Sequence, residues 1–144
     1  MEAPVRYFEY TVYPLEGVWD ITDEAKKTFD GTINKDDLMF NLMIRQPNFV
    51  TEEYALGIIE QVKKSKPHRI LDDVKFEMIT EGKVVQMLHK GSFDDESETF
   101  EIMEGFAKKQ GLERLSKVHR EVYLSDARRV EPAKLKTVLR FKVK

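Results

Sequence analysis

The first third of the chain contains two segments whose pattern of apolar positions predicts β-strands. Val5 to Tyr13 is dense in aromatic and β-branched residues and ends at Pro14. Leu15 to Trp19 then predicts a turn leading into a short extended piece. From Leu38 to Arg45 apolar side chains alternate, so one face of this strand is expected to point into the core. That face consists of Leu38, Phe40, Leu42 and Ile44.

After Pro47 the apolar spacing changes to that of a helix. Thr51 is suited to the N-cap, and Glu52 and Glu53 stand in the first turn, where the helix dipole favours acids. The pattern predicts a helix that packs one apolar stripe on a sheet and stops before Pro67. The stripe consists of Tyr54, Ala55, Ile58, Ile59 and Val62.

The second half of the chain predicts a strand, a helix and two more strands. The strand runs from Phe76 to His89, with a hairpin interrupted at Glu81-Gly82 as the alternative, and Gly91 to Asp95 predicts a turn that starts the helix. Gly111 is suited to end that helix. Its expected apolar stripe is Thr99, Ile102, Met103 and Phe106. His119 to Ser125 and Leu135 to Val143 are the last two predicted strands.

This order of elements is typical of an α+β fold with helices on one face of a sheet. The two halves echo each other weakly, so residues 1–144 are interpreted as one domain built from a duplicated βαββ unit. The first repeat is expected to be incomplete at its N-terminus and to lack an opening strand and helix. A sheet edge left uncovered near Val5 to Tyr13 predicts a homodimer formed through this N-terminal edge.

Composition and charge narrow the range of functions. The 144 residues carry a formal net charge of −2, and their positive residues are scattered, so we expect no nucleic-acid partner. No apolar segment approaches the roughly 20 residues of a membrane span, so no membrane partner is expected either. The chain has no cysteine, which excludes disulfides and thiol catalysis and fits a cytoplasmic protein.

No sequence pattern indicates a metal or a cofactor. His68, His89 and His119 are far apart and lack paired metal-ligand spacing. The acidic run from Asp94 to Glu96 stands at a predicted helix start, where capping and the helix dipole explain it. The sequence contains no phosphate-binding loop, dinucleotide fingerprint or nucleophile–base motif. We therefore expect no metal, no cofactor and no covalent catalysis.

Glu121 is the first candidate for a functional side chain. In a strand, His119, Glu121 and Tyr123 share one face. A carboxylate there is either a solvated residue at a sheet edge or the charged floor of a cleft, and the residues alone favour the solvated alternative. The aromatic candidates, which suit core packing as well as a cleft, are Tyr10, Tyr13, Trp19 and Tyr123.

Four segments, in order along the chain, resemble one known family. They are Pro14–Trp19, Leu42–Pro47, Tyr123–Arg129 and Pro132–Arg140. They make the chain similar to the GyrI-like small-molecule-binding family of the SOUL/GyrI-like superfamily, in particular to its stand-alone bacterial members. The resemblance covers nearly the whole chain. It implies two βαββ repeats around a cupped sheet, with a ligand held in the cleft between the repeats.

The resemblance also assigns roles to residues. The glutamate before the Tyr-Leu-Ser-Asp motif, here Glu121, is the family's ligand-binding position, and Trp19 resembles a cleft position. A carboxylate among aromatic rings attracts a cation and holds its apolar body by stacking. The chain is therefore expected to bind amphipathic small molecules, cationic ones included, for sensing or sequestration. The expected ligand-binding residues are Glu121, Tyr123, Trp19, Tyr10, Tyr13, Met43 and Met87, in which the methionines add an adaptable surface.

Two other functions stay open. One branch of the family resembles hydrolases that open reactive cyclopropane rings of aromatic compounds. In that alternative Glu121 is the catalytic residue, and burial raises its pKa so that it activates water. The other alternative is a protein-interaction or inhibitor domain. A transcription regulator is disfavoured, because no segment remains for a helix-turn-helix module.

Overall fold

The computed structural model describes residues 2–144, which fold into two compact units. One unit comprises the residues up to Tyr13 together with Arg45–Thr80, and it is called the Phe49 unit after its buried ring. The other comprises Pro14–Ile44 with Glu81–Lys144 and is called the sheet unit. The sheet and Glu121 both belong to the sheet unit. The single domain expected over residues 1–144 stays a prediction.

An antiparallel sheet of five strands, counted over residues 2–144, is the framework of the sheet unit. The strands are β1 (Leu15–Ile21), β2 (Leu38–Ile44), β3 (Val84–Lys90), β4 (His119–Tyr123) and β5 (Lys136–Lys142). Their spatial order is β2-β1-β4-β5-β3, and every neighbouring pair is antiparallel. The α-helices are α1 (Asp23–Lys27), α2 (Glu52–Ser65) and α3 (Glu96–Lys109). The predicted α+β class is confirmed.

The first strand lies later in the chain than the sequence predicts. Val5–Tyr13 is not a strand, and β1 instead occupies the stretch expected to be a turn and a short extended piece. Arg6 has φ 67°, which breaks an extended backbone. The aromatic rings pack around Phe49, at centroid distances of 5.2, 5.0 and 5.7 Å for Tyr7, Phe8 and Tyr10. The strand propensity of aromatic residues reflects packing against neighbouring strands. Here these residues pack against the single buried ring of Phe49 instead. The expected N-terminal strand edge is therefore wrong, while the homodimer itself stays a prediction.

Most other elements agree with the sequence. Thr51 caps α2, since its Oγ1 accepts a hydrogen bond from the backbone N–H of Tyr54 at 3.2 Å. The strands β4 and β5 end within two residues of their predicted bounds. Only the start of β3 differs clearly, because Gly82 with φ 72° turns the chain just before Val84. Within residues 2–144, no helix combines the length and apolarity needed to cross a membrane.

The predicted core face of β2 is wrong. Phe40, Leu42 and Ile44 are 53%, 54% and 44% exposed. The reason is the place of β2 at the end of the sheet, where it pairs with β1 alone. Helix α3 packs at the opposite end, against β3.

The buried core of the sheet unit lies between α3 and the β3–β5 half of the sheet. The core side chains are Val85, Met103, Ala107, Leu139, Phe141 and Val143. The expected stripe of α3 is wrong in part, because Thr99 and Met103 are buried whereas Ile102 and Phe106 are exposed. The face that α3 buries begins with a charged residue, Glu96. This face covers one half of the sheet and leaves the β1–β2 half open.

Candidate functional site

The strand register brings the site residues onto one face of the sheet. Glu121 on β4 is opposite Gly17 on β1 and Leu139 on β5. Trp19 is opposite His119. Paired residues of antiparallel strands present their side chains on the same side, and residues two apart on a strand share a face. Tyr123 therefore lies on this face as well.

A chain of hydrogen bonds joins the tryptophan to the carboxylate. Trp19 Nε1–H donates to Tyr123 Oη at 2.8 Å, and the Tyr123 hydroxyl donates to Glu121 Oε2 at 2.6 Å. Glu121 is 8% exposed, so it is not a solvated edge residue. At the other end of this hydrogen-bonded chain, the Trp19 ring stacks at a tilt on Phe40, with 4.8 Å between the ring centroids. The chain thus connects a buried charge to an aromatic surface.

Gly17 makes this chain sterically possible. A β-carbon on Gly17 would lie 2.8 Å from Trp19 Nε1 and 3.0 Å from Tyr123 Oη. Both distances are shorter than the van der Waals separation of a carbon atom from a nitrogen or oxygen atom. The indole and the phenol therefore meet directly above the backbone of residue 17, which only glycine leaves open.

The second oxygen of Glu121 faces a histidine. His119 Nε2 lies 3.0 Å from Glu121 Oε1, and His119 Nδ1 lies 3.4 Å from the carbonyl oxygen of Lys117. The ring of Phe100 packs edge-on against the imidazole at 4.8 Å. Contacts on both nitrogens and on the ring fix the orientation of His119.

Glu96 completes the group, and sequence reasoning missed it. It is the first residue of α3, only 8% exposed, and its carboxyl is hydrogen-bonded to that of Glu121. Its Oε1 is buried without a hydrogen-bond partner among the described residues. From the sequence, capping and the helix dipole are sufficient to explain the acidic run at this helix start. The signal that identifies Glu96 is its helical phase, since it shares a face with Thr99, Met103 and Ala107.

The two carboxyls differ in charge because their surroundings differ. Burial, together with the hydrogen bond and negative charge of Glu121, raises the pKa of Glu96 from 4.5 to about 9. Burial acts in the same direction on Glu121, but hydrogen bonds from His119, Glu96 and Tyr123 outweigh it and lower its pKa. The raised pKa expected for Glu121 is therefore wrong. At neutral pH the pair holds one proton, on Glu96, and one negative charge, on Glu121.

The remaining predicted ligand residues are not all brought to this group. Met43 lies on the opposite face of the sheet, where its Sδ is 3.0 Å from Arg120 Nη1. Met87 is on the same face as Leu139 but packs against the buried core. Tyr10 and Tyr13 belong to the Phe49 unit, with 6.0 Å between their ring centroids, and their part in a site stays a prediction.

Two shallow surface pockets lie away from this group. One, of about 380 Å³, is lined by residues at the end of α3 and after it, among them Leu112 and Arg114. The other, of about 510 Å³, belongs to the Phe49 unit and includes Val50 and Phe76. Neither contains a residue of the hydrogen-bonded group. The candidate site is therefore defined by its buried charge and by the open aromatic face beside it.

The same group contains the residues best placed to hold a metal ion. In the described part of the chain, Glu96, His119 and Glu121 each bring one ligand atom to within 4.8 Å of the others. Sequence spacing could not show this, because α3 and β4 supply the residues separately.

Comparisons with known proteins agree with the fold. The family model of the GyrI-like small molecule binding domain matches residues 7–144. A crystal structure of a hydrolase from Listeria innocua has a TM-score of 0.83 and 33% identity, and the match covers 100% of this chain and 68% of that one. Another hydrolase from this organism gives 0.85 and 35%, with 100% and 69% covered. An uncharacterized conserved Listeria innocua protein gives 0.81 and 35%, with 96% and 67% covered. No curated protein sequence matches the chain.

Replacing Gly17 with alanine tests the role of the open backbone. The new methyl group displaces the indole from Tyr123, so we expect Gly17→Ala to lower the free energy of unfolding by about 1–3 kcal/mol and to shift the emission of Trp19. The measurement is urea unfolding followed by fluorescence. Gly57→Ala, in α2, is the matched control, because nothing surrounds that position. We expect it to stabilise by about 0.5–1 kcal/mol. An unchanged emission in Gly17→Ala would contradict the proposed contact.

The protonated state of Glu96 has a consequence for stability. Between pH 4.5 and about pH 9, Glu96 keeps its proton in the folded protein and releases it in the unfolded chain. Its stability should therefore fall as the pH rises through that range. The lowered pKa of Glu121 acts with the opposite sign, and only at more acidic pH, where that carboxylate becomes protonated.

The test is urea unfolding of Glu96→Gln and the unmodified protein at about pH 5, 7 and 9. Glutamine is neutral throughout, so the variant should lose the decline seen in the unmodified protein. Glu101→Gln, an exposed position on the same helix, should keep it. Equal slopes in all three proteins would show that Glu96 is not the group that titrates.

Proposed function

Because the chain belongs to the GyrI-like small-molecule-binding family, we propose that it binds amphipathic small molecules, organic cations above all, around Glu121. In this proposal the bound compound is sensed or sequestered. The observation that carries it is the hydrogen-bonded chain from Trp19 through Tyr123 to the buried carboxylate.

The charge of Glu121 supports a preference for cations. The carboxylate is buried and ionised, so its field is poorly screened by water and attracts a positive group more strongly than a surface acid does. His119 and Tyr123 each donate to one of its oxygens, and Glu96 supplies a third hydrogen bond. An ionised carboxylate has about four acceptor positions, so capacity remains for a ligand.

The open half of the sheet supports an apolar ligand body. On the face that carries Trp19, the side chains of Phe40 and Leu42 are more than half exposed. The tilted stack of Trp19 and Phe40 offers a ring surface for cation–π and stacking contacts. A compound with a positive group and an aromatic body matches both features.

The single tryptophan allows a direct test of binding. A quaternary ammonium compound with an aromatic body and its neutral isostere are titrated while the fluorescence of Trp19 is followed. We expect the cation to bind at least about tenfold more tightly than the isostere, which corresponds to about 1.4 kcal/mol. Glu121→Gln should lose this preference but keep the weak binding of the apolar body.

Glu101→Gln serves as the matched control, because it removes one exposed carboxylate from the sheet unit and should behave like the unmodified protein. Equal affinities for cation and isostere in the unmodified protein would refute the role of Glu121.

A hydrolytic activity is the second candidate function. Two of the structural neighbours, at 33% and 35% identity, are described as hydrolases. The ionised Glu121 is chemically able to accept a proton from water. The test is incubation with a cyclopropane-containing aromatic compound, followed by mass spectrometry. A product that has gained one water, formed repeatedly per protein and absent with Glu121→Gln, establishes turnover, whereas binding without product favours the binding function.

A further inference from the structure

Three side chains on the same face of the sheet unit direct acceptor atoms at one point. The atoms are His119 Nε2 and one carboxylate oxygen each from Glu96 and Glu121, all within 4.8 Å of one another. The two glutamates are each 8% exposed. Without an ion, the proton on Glu96 separates the two carboxyls, and a divalent ion would take its place between the three groups.

The hydrogen bonding of His119 defines which nitrogen faces this point. His119 Nε2 lies 3.0 Å from Glu121 Oε1, and Nδ1 lies 3.4 Å from the carbonyl oxygen of Lys117. Without an ion, Nε2–H donates to the carboxylate. When Nε2 binds an ion, the ring hydrogen is on Nδ1, where the carbonyl oxygen of Lys117 accepts it. A carbonyl that holds the far side of an imidazole is the usual support of a metal-binding histidine.

Glu96 supplies a second, independent sign of a missing partner. Its Oε1 is buried and has no hydrogen-bond partner in the part of the chain described. Buried polar atoms are nearly always paired, and an orphan among them marks an absent ion or water.

We propose that Glu96, His119 and Glu121 form a binding site for one divalent transition-metal ion, with Zn²⁺ as the ion that the donor set fits. Imidazole together with carboxylate oxygens suits zinc better than the oxygen-seeking Mg²⁺ or Ca²⁺. Glu96 releases its proton to solvent when the ion binds, and the two carboxylates then balance the charge of the ion.

One of the three ligand pairs already has the spacing of a zinc site, and Glu96, within 4.8 Å of the other two ligand atoms, moves closer when the ion binds. Ligand atoms in a tetrahedral zinc site lie about 3.3 Å from one another, and His119 Nε2 and Glu121 Oε1 are already 3.0 Å apart. The Tyr123 hydroxyl holds the other oxygen of Glu121, so the first oxygen is kept directed at the site. Three protein ligands leave a fourth position for water or another ligand.

This inference does not rest on the proposed binding of organic cations, but it bears on it. A bound divalent ion cancels the charge of Glu121, so zinc and an organic cation compete for the same site. Zinc titrations need no organic ligand. Failure of one proposal is therefore distinguishable from failure of the other.

The experiment uses the whole chain after treatment with a chelator. Zinc chloride is titrated by calorimetry, and Co²⁺ is added separately to record its visible absorption. We expect one ion per chain and an intense cobalt spectrum of tetrahedral type. Glu96→Gln and His119→Gln should each weaken zinc binding by at least about tenfold. The controls Glu101→Gln and His68→Gln, at exposed positions, should bind as the unmodified protein does.

Binding that is absent, or that both site variants leave unchanged, would overturn the proposal. X-ray absorption of the zinc-loaded unmodified protein gives a second answer that does not depend on the folding of any variant. One imidazole with oxygen ligands in a four-coordinate shell supports the site, and a shell of six waters refutes it.

Discussion

The pairing of two buried carboxyls, Glu96 and Glu121, is the constraint on which the rest of the site depends. Two adjacent carboxylates cannot both be ionised away from water, so one keeps a proton and the other is stabilised by donors. Besides Glu96 itself, those donors are His119 and Tyr123, and Tyr123 in turn accepts a hydrogen bond from the indole N–H of Trp19. The orientations of an imidazole, a phenol and an indole thus follow from the charge of a single side chain.

The register of the sheet converts this constraint into a position in the fold. Gly17 is opposite Glu121, so the strand beside the carboxylate leaves room for Trp19 and Tyr123 to meet. A slip of one residue between β1 and β4 would send these side chains to the other face. The helix α3 places Glu96 above the same point while it buries the β3–β5 half of the core. The site and the core therefore lie on the same face of the sheet. The boundary between them is the edge of the area that α3 covers.

The sequence predicts the framework well where local patterns and packing agree. Clear sequence patterns predict four elements that are present in the structure: the strand β2, the capped helix α2 and the strands β4 and β5. Prediction fails where distant packing decides. The aromatic residues before Pro14 gather around Phe49, and the apolar face of β2 lies at a sheet edge. Glu96 was missed because a charge at a helix start has a sufficient local explanation, and only the tertiary fold shows that it is buried beside Glu121.

The hydrogen bond that crosses above Gly17 has an evolutionary consequence. Any other residue at position 17 adds a β-carbon that collides with the indole and the phenol, so this position cannot drift while Trp19 and Tyr123 keep their contact. A lineage that has already lost the bulk of Trp19 loses the closer of the two collisions, so that only the phenol of Tyr123 has to shift when position 17 varies. The effect of a substitution at one site then depends on the residue at the other, which is epistasis. Ligand preference in descendants of this protein would therefore change in an ordered sequence of steps, with position 19 changing before position 17.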